Sequence, residues 1–513
     1  MDLNVDEFLA LAGQFQLGGL DTEAQHPRSL HLSEEAQTNL PQAVATLKAV
    51  DVLALERFVE KAVGLPALAR SINEVLTAGG RIFLCGCGAT GRLSLSLELF
   101  CRLGLLGEDA GERVIAFMAG GDLALIKAIE KFEDHPEYGA RQLEELGFGV
   151  GDLLIASTEG GETPWVIGAT ERAAEISRYQ PWFLYCNPDE ELIAVAQRSQ
   201  RVIENPRIWK LNLAVGPMAL AGSTRMQAST VLMAAIGFAM QHHLGPAEAA
   251  TEVSRFLTLV NETDFGWLVP FTELEAETYA NGGRVLYEPG AFGITVLTDT
   301  TERSPTFTLR PFENQLKPEE IASWCHLHLS GTSDHDSAWR ALLMRDPRPL
   351  EWDGISETAG SAVLAGYDFS DQLLEKRRVR TRGQEHLRFV ITDTADGFIW
   401  EFAGLRHELS VPGASFFMKN LLLKLLLNTH STLIMGRLGR YLDNLMTFVK
   451  PSNLKLIDRA IRYVRLLLQR RTGNPGTYEE VARQLFIERE RLGPEEAIVM
   501  KTMQAILDAR AAG

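Results

Sequence analysis

Between residues 81 and 214, short apolar runs alternate with segments long enough to form helices. Each run has five or six residues, the length of one buried strand. The runs lie at 81–85, 113–118, 152–157, 182–186 and 209–214. Strands that are apolar along their length and separated by helices form a parallel sheet covered on both faces. A long helix from about residue 223 to 243 is predicted to follow the last strand.

The C-terminal half repeats this design less clearly. An alanine followed by Gly-Gly-Arg and an apolar run occurs twice, with the arginine at Arg81 and again at Arg284, which indicates an internal duplication. Further strands are predicted at 388–392 and 399–402, and a helix at 415–438. The tail over 452–512 is helical in composition and broken at 473–476 and 493–494.

The predicted fold class is α/β, with two doubly wound parallel-sheet domains in tandem and a small C-terminal helical cap. At 513 residues the chain is too long for one hydrophobic core, which agrees with this division. The predicted parts are an N-terminal arm at 1–45, a first domain at 46–255, a second domain at 256–450 and the cap at 451–513.

Charge and composition exclude several functions. The formal net charge of -17 would repel nucleic acid and an anionic membrane surface, and no basic stripe offsets it. The longest apolar stretches, such as 231–240, fall short of the ~20 residues that a membrane span needs. Five cysteines, an odd number, and an acidic N-terminal segment predict a reduced, cytoplasmic protein. We therefore predict no nucleic-acid partner and no membrane contact.

A glycine-rich loop follows the first strand, with glycines at Gly86, Gly88 and Gly91. Such a loop directs main-chain N–H groups, and the N-terminus of the next helix, towards a phosphate. A dinucleotide site would need an acidic residue about 20 positions further on. The first acidic residue after the second strand is Asp122, 36 positions after Gly86. The spacing therefore argues against NAD as the ligand. The alternating run at 93–99, which follows the loop, is predicted to be a buried helix with two apolar stripes.

A second polar loop, at 157–164, follows the third strand and also precedes a helix. The carboxyl ends of parallel strands face one crevice, so both loops could contact a single ligand. Two loops rich in glycine and hydroxyl groups predict a phosphorylated small molecule. The alternative is that both are ordinary turns between a strand and a helix.

The segments 85–93, 119–134, 161–164, 186–189 and 215–226 together resemble one family. Their order and spacing are similar to those of the sugar isomerase (SIS) domain of N-acetylmuramic acid 6-phosphate etherases and glucokinase regulatory proteins. Segments 424–432 and 451–460 extend the resemblance. The chain length and the duplication favour the regulatory-protein architecture of two flavodoxin-like SIS domains and a cap. The resemblance thus implies a monomer with an internal pseudo-dimer.

The resemblance also implies the ligand residues. The sugar phosphate is expected to contact Gly88, Ala89, Thr90, Gly91 and Arg92 in the first loop, Ser157, Thr158, Gly160 and Glu162 in the second, and Lys424 from the second domain. Ala89 lacks the hydroxyl usual in the family, so Thr90 and the main-chain N–H groups are expected to carry more of the binding. The second domain's own loop at 288–293 is too degenerate to predict a second phosphate site.

The acid and base residues decide between binding and catalysis. The family's base-like glutamate corresponds to Glu133, beside Asp134, whereas the family's other glutamate corresponds to Phe100. Glu98 lies about 200° away around a helix and is not expected to replace it. The etherase reaction, which eliminates lactate from the sugar, needs both an acid and a base. We therefore predict a protein that senses a phosphorylated hexose or amino sugar, such as N-acetylmuramic acid 6-phosphate, with a sugar kinase as a partner. The alternatives are an etherase, or a phosphosugar isomerase that uses Glu133 as its base.

A competing hypothesis comes from the segment 325–336. His326 and His328 would share one face of a strand, and His335 with Asp334 or Asp336 could complete a zinc or manganese site. No second set of spaced ligands supports this hypothesis, and we predict neither a metal nor a cofactor.

Overall fold

The structure is a computed structural model that describes residues 4–15, 17–107, 110–129, 132–384, 386–493 and 495–512. The N-terminal segment contains helices α1 (Val5–Leu11), α2 (Leu32–Thr38), α3 (Leu40–Lys61) and α4 (Leu65–Thr77). The predicted irregular arm is therefore partly helical. Asn39 caps α3 by accepting a hydrogen bond from the main-chain N–H of Gln42 at 3.4 Å.

The first half contains a parallel sheet with helices on both faces. Its elements are β1 (Ile82–Gly86), α5 (Ala89–Arg102), β2 (Val114–Met118), α6 (Pro136–Glu145), β3 (Leu153–Ser157), α7 (Pro164–Ile176), β4 (Trp182–Tyr185), α8 (Asp189–Val195), α9 (Gln197–Glu204), β5 (Trp209–Asn212) and α10 (Gln227–Gln241). The strand order is β2-β1-β3-β4-β5, and every pairing is parallel. The predicted strands of this sheet are confirmed.

The alternating run after the first glycine loop forms helix α5. Almost the whole helix is buried, and it packs against β1 and β2 on one side and α10 and α13 (defined below) on the other. Two serines fit this environment because their hydroxyls donate to main-chain carbonyls one turn earlier, Ser94 to Thr90 and Ser96 to Arg92. The prediction of a buried helix is confirmed.

The second half has a sheet of order β10-β9-β8-β6-β7. Its elements are α11 (Glu248–Glu262), α12 (Leu268–Ala280), β6 (Arg284–Glu288), α13 (Gly293–Phe307), β7 (Cys325–Leu327), α14 (His335–Leu343), α15 (Ser356–Ala359), α16 (Ser361–Leu364), α17 (Gln372–Arg380), β8 (His386–Thr394), β9 (Gly397–Phe402), β10 (Leu405–Ser410) and α18 (Phe416–Arg437). The central strand β6 pairs with β7 and β8 in parallel, as β1 pairs with β2 and β3.

The outer part of the second sheet differs from a doubly wound parallel sheet. Strands β8, β9 and β10 pair in antiparallel fashion. Their connections are too short for a parallel crossover, which needs a dozen or more residues. The turn between β9 and β10 consists of Ala403 and Gly404, both with positive φ, as a tight hairpin turn requires.

The C-terminal cap consists of α19 (Leu454–Thr472), α20 (Tyr478–Glu490) and α21 (Ile498–Ala512). Its first helix is tied to the N-terminal segment by a buried ion pair between Arg459 and Glu23. The start of α19 therefore lies against the first half of the chain. The domain boundaries stay predictions: those near 45 and 255 fall within α3 and α11, and the one near 450 precedes α19. Among the described residues, no helix combines the length and hydrophobicity of a membrane span.

Candidate functional site

Two loops meet at the carboxyl edge of the first sheet. The first loop (residues 86–91) leads from β1 into α5, and the second loop (157–164) leads from β3 into α7. Because β1 and β3 pair directly and in parallel, both loops lie at one edge. Ligands bind at this edge in doubly wound sheets.

The first loop is shaped by its glycines. Gly88 has φ of 58° and ψ of -121°, which favours glycine. A Cβ atom on Gly91 would lie 2.6 Å from the Cβ of Met118, so α5 needs a glycine to pack this close to β2. The hydroxyl of Thr90 accepts from the main-chain N–H of Cys87 at 3.0 Å and donates to its carbonyl at 2.9 Å. Thr90 therefore braces the loop, and the main-chain N–H groups of Cys87 and Thr90 already donate within it, so the candidate donors for an anion are the other N–H groups of the loop.

The hydrogen bonds of Arg92 join α5 to the second half and to the segment after β2. Its guanidinium group is buried and donates to the hydroxyl of Thr301 and the carbonyl of Leu125, both at 3.3 Å. Burial lowers the pKa of Arg92, while the carboxylate of Glu302 opposes this shift. Arg92 thus connects α5 with α13 in the second half, and its predicted ligand role stays a prediction.

The second loop is held by its own hydroxyl groups. The side chain of Thr158 accepts from the N–H of Gly161 at 3.3 Å and shares a hydrogen bond with the hydroxyl of Thr163 at 3.0 Å. Ser157 points back into the sheet and donates to the carbonyl of Cys85 at 3.4 Å. Gly160 lies against the carboxylate of Glu162. Of these residues, Glu162 carries charge into the site.

Glu133 lies beside the first loop. One oxygen accepts from the thiol of Cys87 at 3.5 Å, and the other accepts from the amide of Asn453. Burial raises the pKa of Glu133; the carboxyl groups of Asp134 and Glu162 raise it further, whereas Lys455 lowers it. A carboxyl group in this setting can bind a sugar hydroxyl or act as a base.

The start of the cap contacts the second loop and Glu133, which the sequence did not predict. Asn453 accepts from the N–H of Leu456 at 2.9 Å, caps α19 and bonds Glu133 with its amide, while Lys455 forms an ion pair with Glu162. The helix dipole disfavours a lysine in the first turn of a helix. The position of Lys455 in the sequence could therefore have indicated that a carboxylate lies near it. Lys455 thus contacts the second loop directly.

Lys424 lies at the interface between the two halves. Its ammonium group donates to the carbonyl of Arg225 at 2.8 Å, to Thr230 at 2.9 Å and to Asn428 at 2.9 Å. Burial lowers its pKa to about 8, although carboxylates including that of Glu302 oppose the shift. These contacts lie on α18 and at the start of α10, away from Glu133.

A small cavity of about 20 Å³, here called the interface cavity, lies between the two halves. It is lined by Ala89, Leu93, Ser96, Ser229, Met233, Thr295, Thr298, Asp299, Glu302, Lys424 and Asn428. The structure therefore brings Ala89 and Lys424 together, as expected for a composite site. Ser229 also donates to Glu159 of the second loop at 3.0 Å, which connects the cavity with that loop.

Glu302 is a second site candidate that sequence reasoning missed. Within the described structure its Oε1 atom is buried and has no hydrogen-bond partner. Burial raises its pKa, against the effect of Arg92 and Arg225. The internal duplication could have identified Glu302. When Ala291-Phe-Gly of the second half is aligned with Ala89-Thr-Gly of the first, Glu302 aligns with Phe100.

Phe100 and Glu98 both lie away from the loops. Phe100 packs edge-on against Phe416 and Phe417, with ring centroids 6.1 and 5.8 Å apart. Glu98 forms ion pairs with Arg345 and Arg348, each at 2.9 Å. Both side chains therefore hold the halves together.

The histidines of segment 325–336 have separate partners. His326 stacks on Phe312 with a ring distance of 4.1 Å, and His328 lies between the carboxylates of Glu288 and Asp371, each at 2.9 Å. Over the described part of the chain, no group of three or more His, Cys, Asp or Glu side chains could hold a metal ion. The competing metal hypothesis therefore has no ligand set in the described structure.

Comparison with known proteins identifies the family to which this chain is related. Residues 67–174, which include both loops and Glu133, match the glucokinase regulatory protein N-terminal SIS domain. The N-acetylmuramic acid 6-phosphate etherase of Yersinia pestis (strain Pestoides F) is 33% identical over 219 residues, which cover 42% of this chain and 67% of the etherase. The chain belongs to this etherase and regulatory-protein family. The resemblance predicted from the motifs is confirmed.

A second etherase and two solved structures are less similar to this chain. The etherase of Francisella philomiragia is 28% identical over 214 residues, again 42% of this chain and 67% of the etherase. Among solved structures, tagatose-6-phosphate ketose/aldose isomerase from Escherichia coli has a TM-score of 0.41 at 13% identity, covering 77% of this chain and 92% of the isomerase. The C-terminal domain of glucosamine-fructose-6-phosphate aminotransferase from Francisella tularensis has a TM-score of 0.39 at 9% identity, covering 75% and 96%. Similarities at this level assign no function.

The buried carboxyl group of Glu159 is expected to make the free energy of unfolding depend on pH. Burial raises its pKa from 4.5 to about 7. The folded protein thus keeps a proton that the unfolded chain releases, and stability falls as the pH rises from about 4.5 to 7. Glu159→Gln keeps the neutral form, so it should match wild type at pH 4.5 and exceed its free energy of unfolding by about 2–3 kcal/mol at pH 8. Urea unfolding at both pH values measures this difference.

The matched control is Glu190→Gln, which changes an exposed glutamate at the start of α8. It should differ little from wild type at either pH. A Glu159→Gln variant no more stable than wild type at pH 8 would contradict the expected titration.

Proposed function

We propose that the protein binds a phosphorylated sugar at the two loops of its first half, and that this binding acts as a signal. The observation that supports this proposal is that two glycine-containing loops follow neighbouring strands, and that Lys455 and Asn453 from a separate part of the chain contact Glu162 of the second loop and Glu133. The family supports a phosphorylated sugar as the ligand class, because relatives are named for N-acetylmuramic acid 6-phosphate.

Each group at the site has a distinct role in this proposal. The main-chain N–H groups of the first loop and the N-terminus of α5 bind the phosphate. Lys455 supplies a positive charge, and Thr158 and Glu133 bind sugar hydroxyls. Lys455 is paired with Glu162. A phosphate competes with Glu162 for this lysine and so changes how α19 is held.

Movement of the cap would turn binding into a signal. Because α19 is also anchored to Glu23 through Arg459, a shift at its N-terminus reaches the N-terminal segment. The match to the glucokinase regulatory protein SIS domain makes a sugar kinase the partner class that we propose. Copurification of a sugar kinase that depends on a sugar phosphate would test this part of the proposal.

The ligand itself is tested by thermal unfolding. N-acetylmuramic acid 6-phosphate and hexose 6-phosphates, at concentrations of 100 times Kd, should stabilise the protein by about 2.7 kcal/mol and raise its Tm. The same sugars without phosphate should raise it little. Equal shifts for phosphorylated and unphosphorylated sugars would overturn the proposed phosphate site.

A second candidate function, a lyase, is favoured by Glu302. Loss of lactate from N-acetylmuramic acid 6-phosphate needs a base and an acid. Glu133 would take the proton from the carbon beside the sugar carbonyl, and protonated Glu302 would give a proton to the oxygen of the departing lactate. The carbon–oxygen bond breaks, lactate leaves, and water then adds to the unsaturated sugar. An isomerase would need only the Glu133 step.

Lactate release distinguishes the lyase from the sensor. A sensor should release little or no lactate from N-acetylmuramic acid 6-phosphate. A lyase should release it readily and lose about 10²–10⁴-fold in rate in either Glu133→Gln or Glu302→Gln. The control Glu98→Gln changes a carboxylate outside the loops and should retain the rate of a lyase, provided that the variant is folded.

A further inference from the structure

A larger cavity lies between the end of α5 and the second half, beside the loop at 288–293, which corresponds to the first loop of the first half. This cavity, here called the β6–β7 cavity, has a volume of about 430 Å³ and is lined by Leu99, Leu103, Gly290, Ala291, Gly293, Ile294, His328, Leu329, Ser330, Thr332, Ala341, Leu342, Met344 and Phe416. It lies at the carboxyl ends of β6 and β7, next to the degenerate loop at 288–293. Its position is that of a ligand site, and its lining is mainly apolar.

The size of the cavity indicates a ligand. Protein interiors hold few voids larger than a water molecule, and the interface cavity has only about 20 Å³. A site that had merely lost its function would be expected to fill with side chains. The β6–β7 cavity instead falls within the 300–1,000 Å³ range of small-molecule pockets.

Two large apolar side chains are left in contact with solvent at this cavity. Leu103 is 49% exposed and Met344 is 46% exposed. Met344 ends α14 with φ of 53°, in the left-handed region where glycine is usual and a longer side chain is strained. A flexible methionine at this position lines the cavity and can adapt to an occupant.

The charges around the cavity indicate that the occupant is uncharged. Among the described lining residues, His328 is the only ionisable side chain, and both of its nitrogens are engaged by Glu288 and Asp371. Glu288 is also paired with Arg388 at 2.6 Å. Each of the two carboxylates already has a partner in His328 or Arg388, so a charged ligand would lose its hydration without gaining a counter-charge.

We propose that the β6–β7 cavity binds a small uncharged molecule with a hydrocarbon body and a hydroxyl or carbonyl head. The body packs on Leu99, Ile294 and Phe416. The head bonds with the hydroxyl of Ser330 at the exposed rim. This site is separate from the sugar-phosphate site and does not depend on it.

The test uses 1-octanol as the probe and isothermal titration calorimetry as the measurement. Wild type should bind one 1-octanol, and sodium octanoate should bind at least about tenfold more weakly, since its charge lacks a partner. Ala341→Trp fills the mouth from α14, an exposed position, and should weaken 1-octanol binding at least about tenfold. Ser330→Trp should do the same from the opposite wall, so that the test survives if one variant fails to fold.

The controls separate this site from others. Ala362→Trp changes an exposed alanine of α16 outside the lining and should bind 1-octanol like wild type. Lys455→Met, at the sugar-phosphate site, should also bind it like wild type. Absence of saturable 1-octanol binding to wild type, or unchanged binding in both blocking variants, would overturn the site. Octanoate binding as tight as that of 1-octanol would overturn the uncharged class.

Discussion

Replacing Asp299 with alanine is expected to lower the free energy of unfolding by about 3–5 kcal/mol. Asp299 pairs with Arg225 at 3.1 Å and with Arg303 at 2.9 Å, and none of the three side chains is more than 3% exposed. It also accepts hydrogen bonds from Asn428 and Ser431. Its removal leaves two guanidinium groups buried without their shared carboxylate. Urea unfolding followed by tryptophan fluorescence measures the loss.

Two further variants calibrate this result. Asp346→Ala breaks an exposed ion pair with Arg340, whose side chains are 71% and 60% exposed, and should cost no more than about 1 kcal/mol. Asp299→Asn keeps an acceptor oxygen and loses the charge, so it should fall between wild type and Asp299→Ala. A cost below about 1 kcal/mol for Asp299→Ala would mean that this cluster does not stabilise the interface between the halves.

The second large effect is expected on ligand affinity. Lys455→Met should weaken the binding of a phosphorylated sugar by about 10- to 100-fold. This factor corresponds to the free energy lost with one hydrogen bond to a charged group. The variant also leaves Glu162 buried without its cation. A double variant, Lys455→Met with Glu162→Gln, separates the two effects, because it removes the repulsion between Glu162 and the phosphate. Titration calorimetry well below the Tm gives the affinities.

Lys501→Met is a matched control for this experiment. Lys501 and Lys455 both have side chains that are 25% exposed, and both pair with a glutamate. Lys501 lies on α21, away from the loops, so its loss should leave affinity unchanged. If Lys455→Met binds as tightly as wild type, the cap does not contribute to phosphate binding.

The first sheet was predictable because burial on both faces makes each strand apolar along its whole length. The helix α5 was predictable for a related reason, since two apolar stripes identify a helix buried on both flanks. Strand β10 was not predicted: Arg406 and Glu408 face solvent, and only alternate residues are partly buried. An edge strand with this pattern resembles an exposed loop in the sequence.

The site was predictable only in part. Both loops follow strands of one sheet, so local patterns placed them at one edge. Lys455 lies 293 residues from its partner Glu162, and nothing in the spacing of either residue indicates the contact. Glu302 reaches the interface cavity because α13 packs against α5, which is a property of how the halves dock. The roles of Thr90, Thr158, Glu133 and Lys424 stay predictions.

Helices α5 and α13 each begin at the loop of their own half, and each contributes residues to both the interface cavity and the β6–β7 cavity. In a dimer of identical subunits, any mutation in such a helix would alter both cavities at once. A fused pair is free of this restriction. One half carries Phe100 and the other Glu302, and the two cavities differ accordingly: the β6–β7 cavity is mainly apolar, whereas the lining of the interface cavity includes charged side chains. Because both halves belong to one chain, a substitution in one helix leaves the matching position of the other helix unchanged.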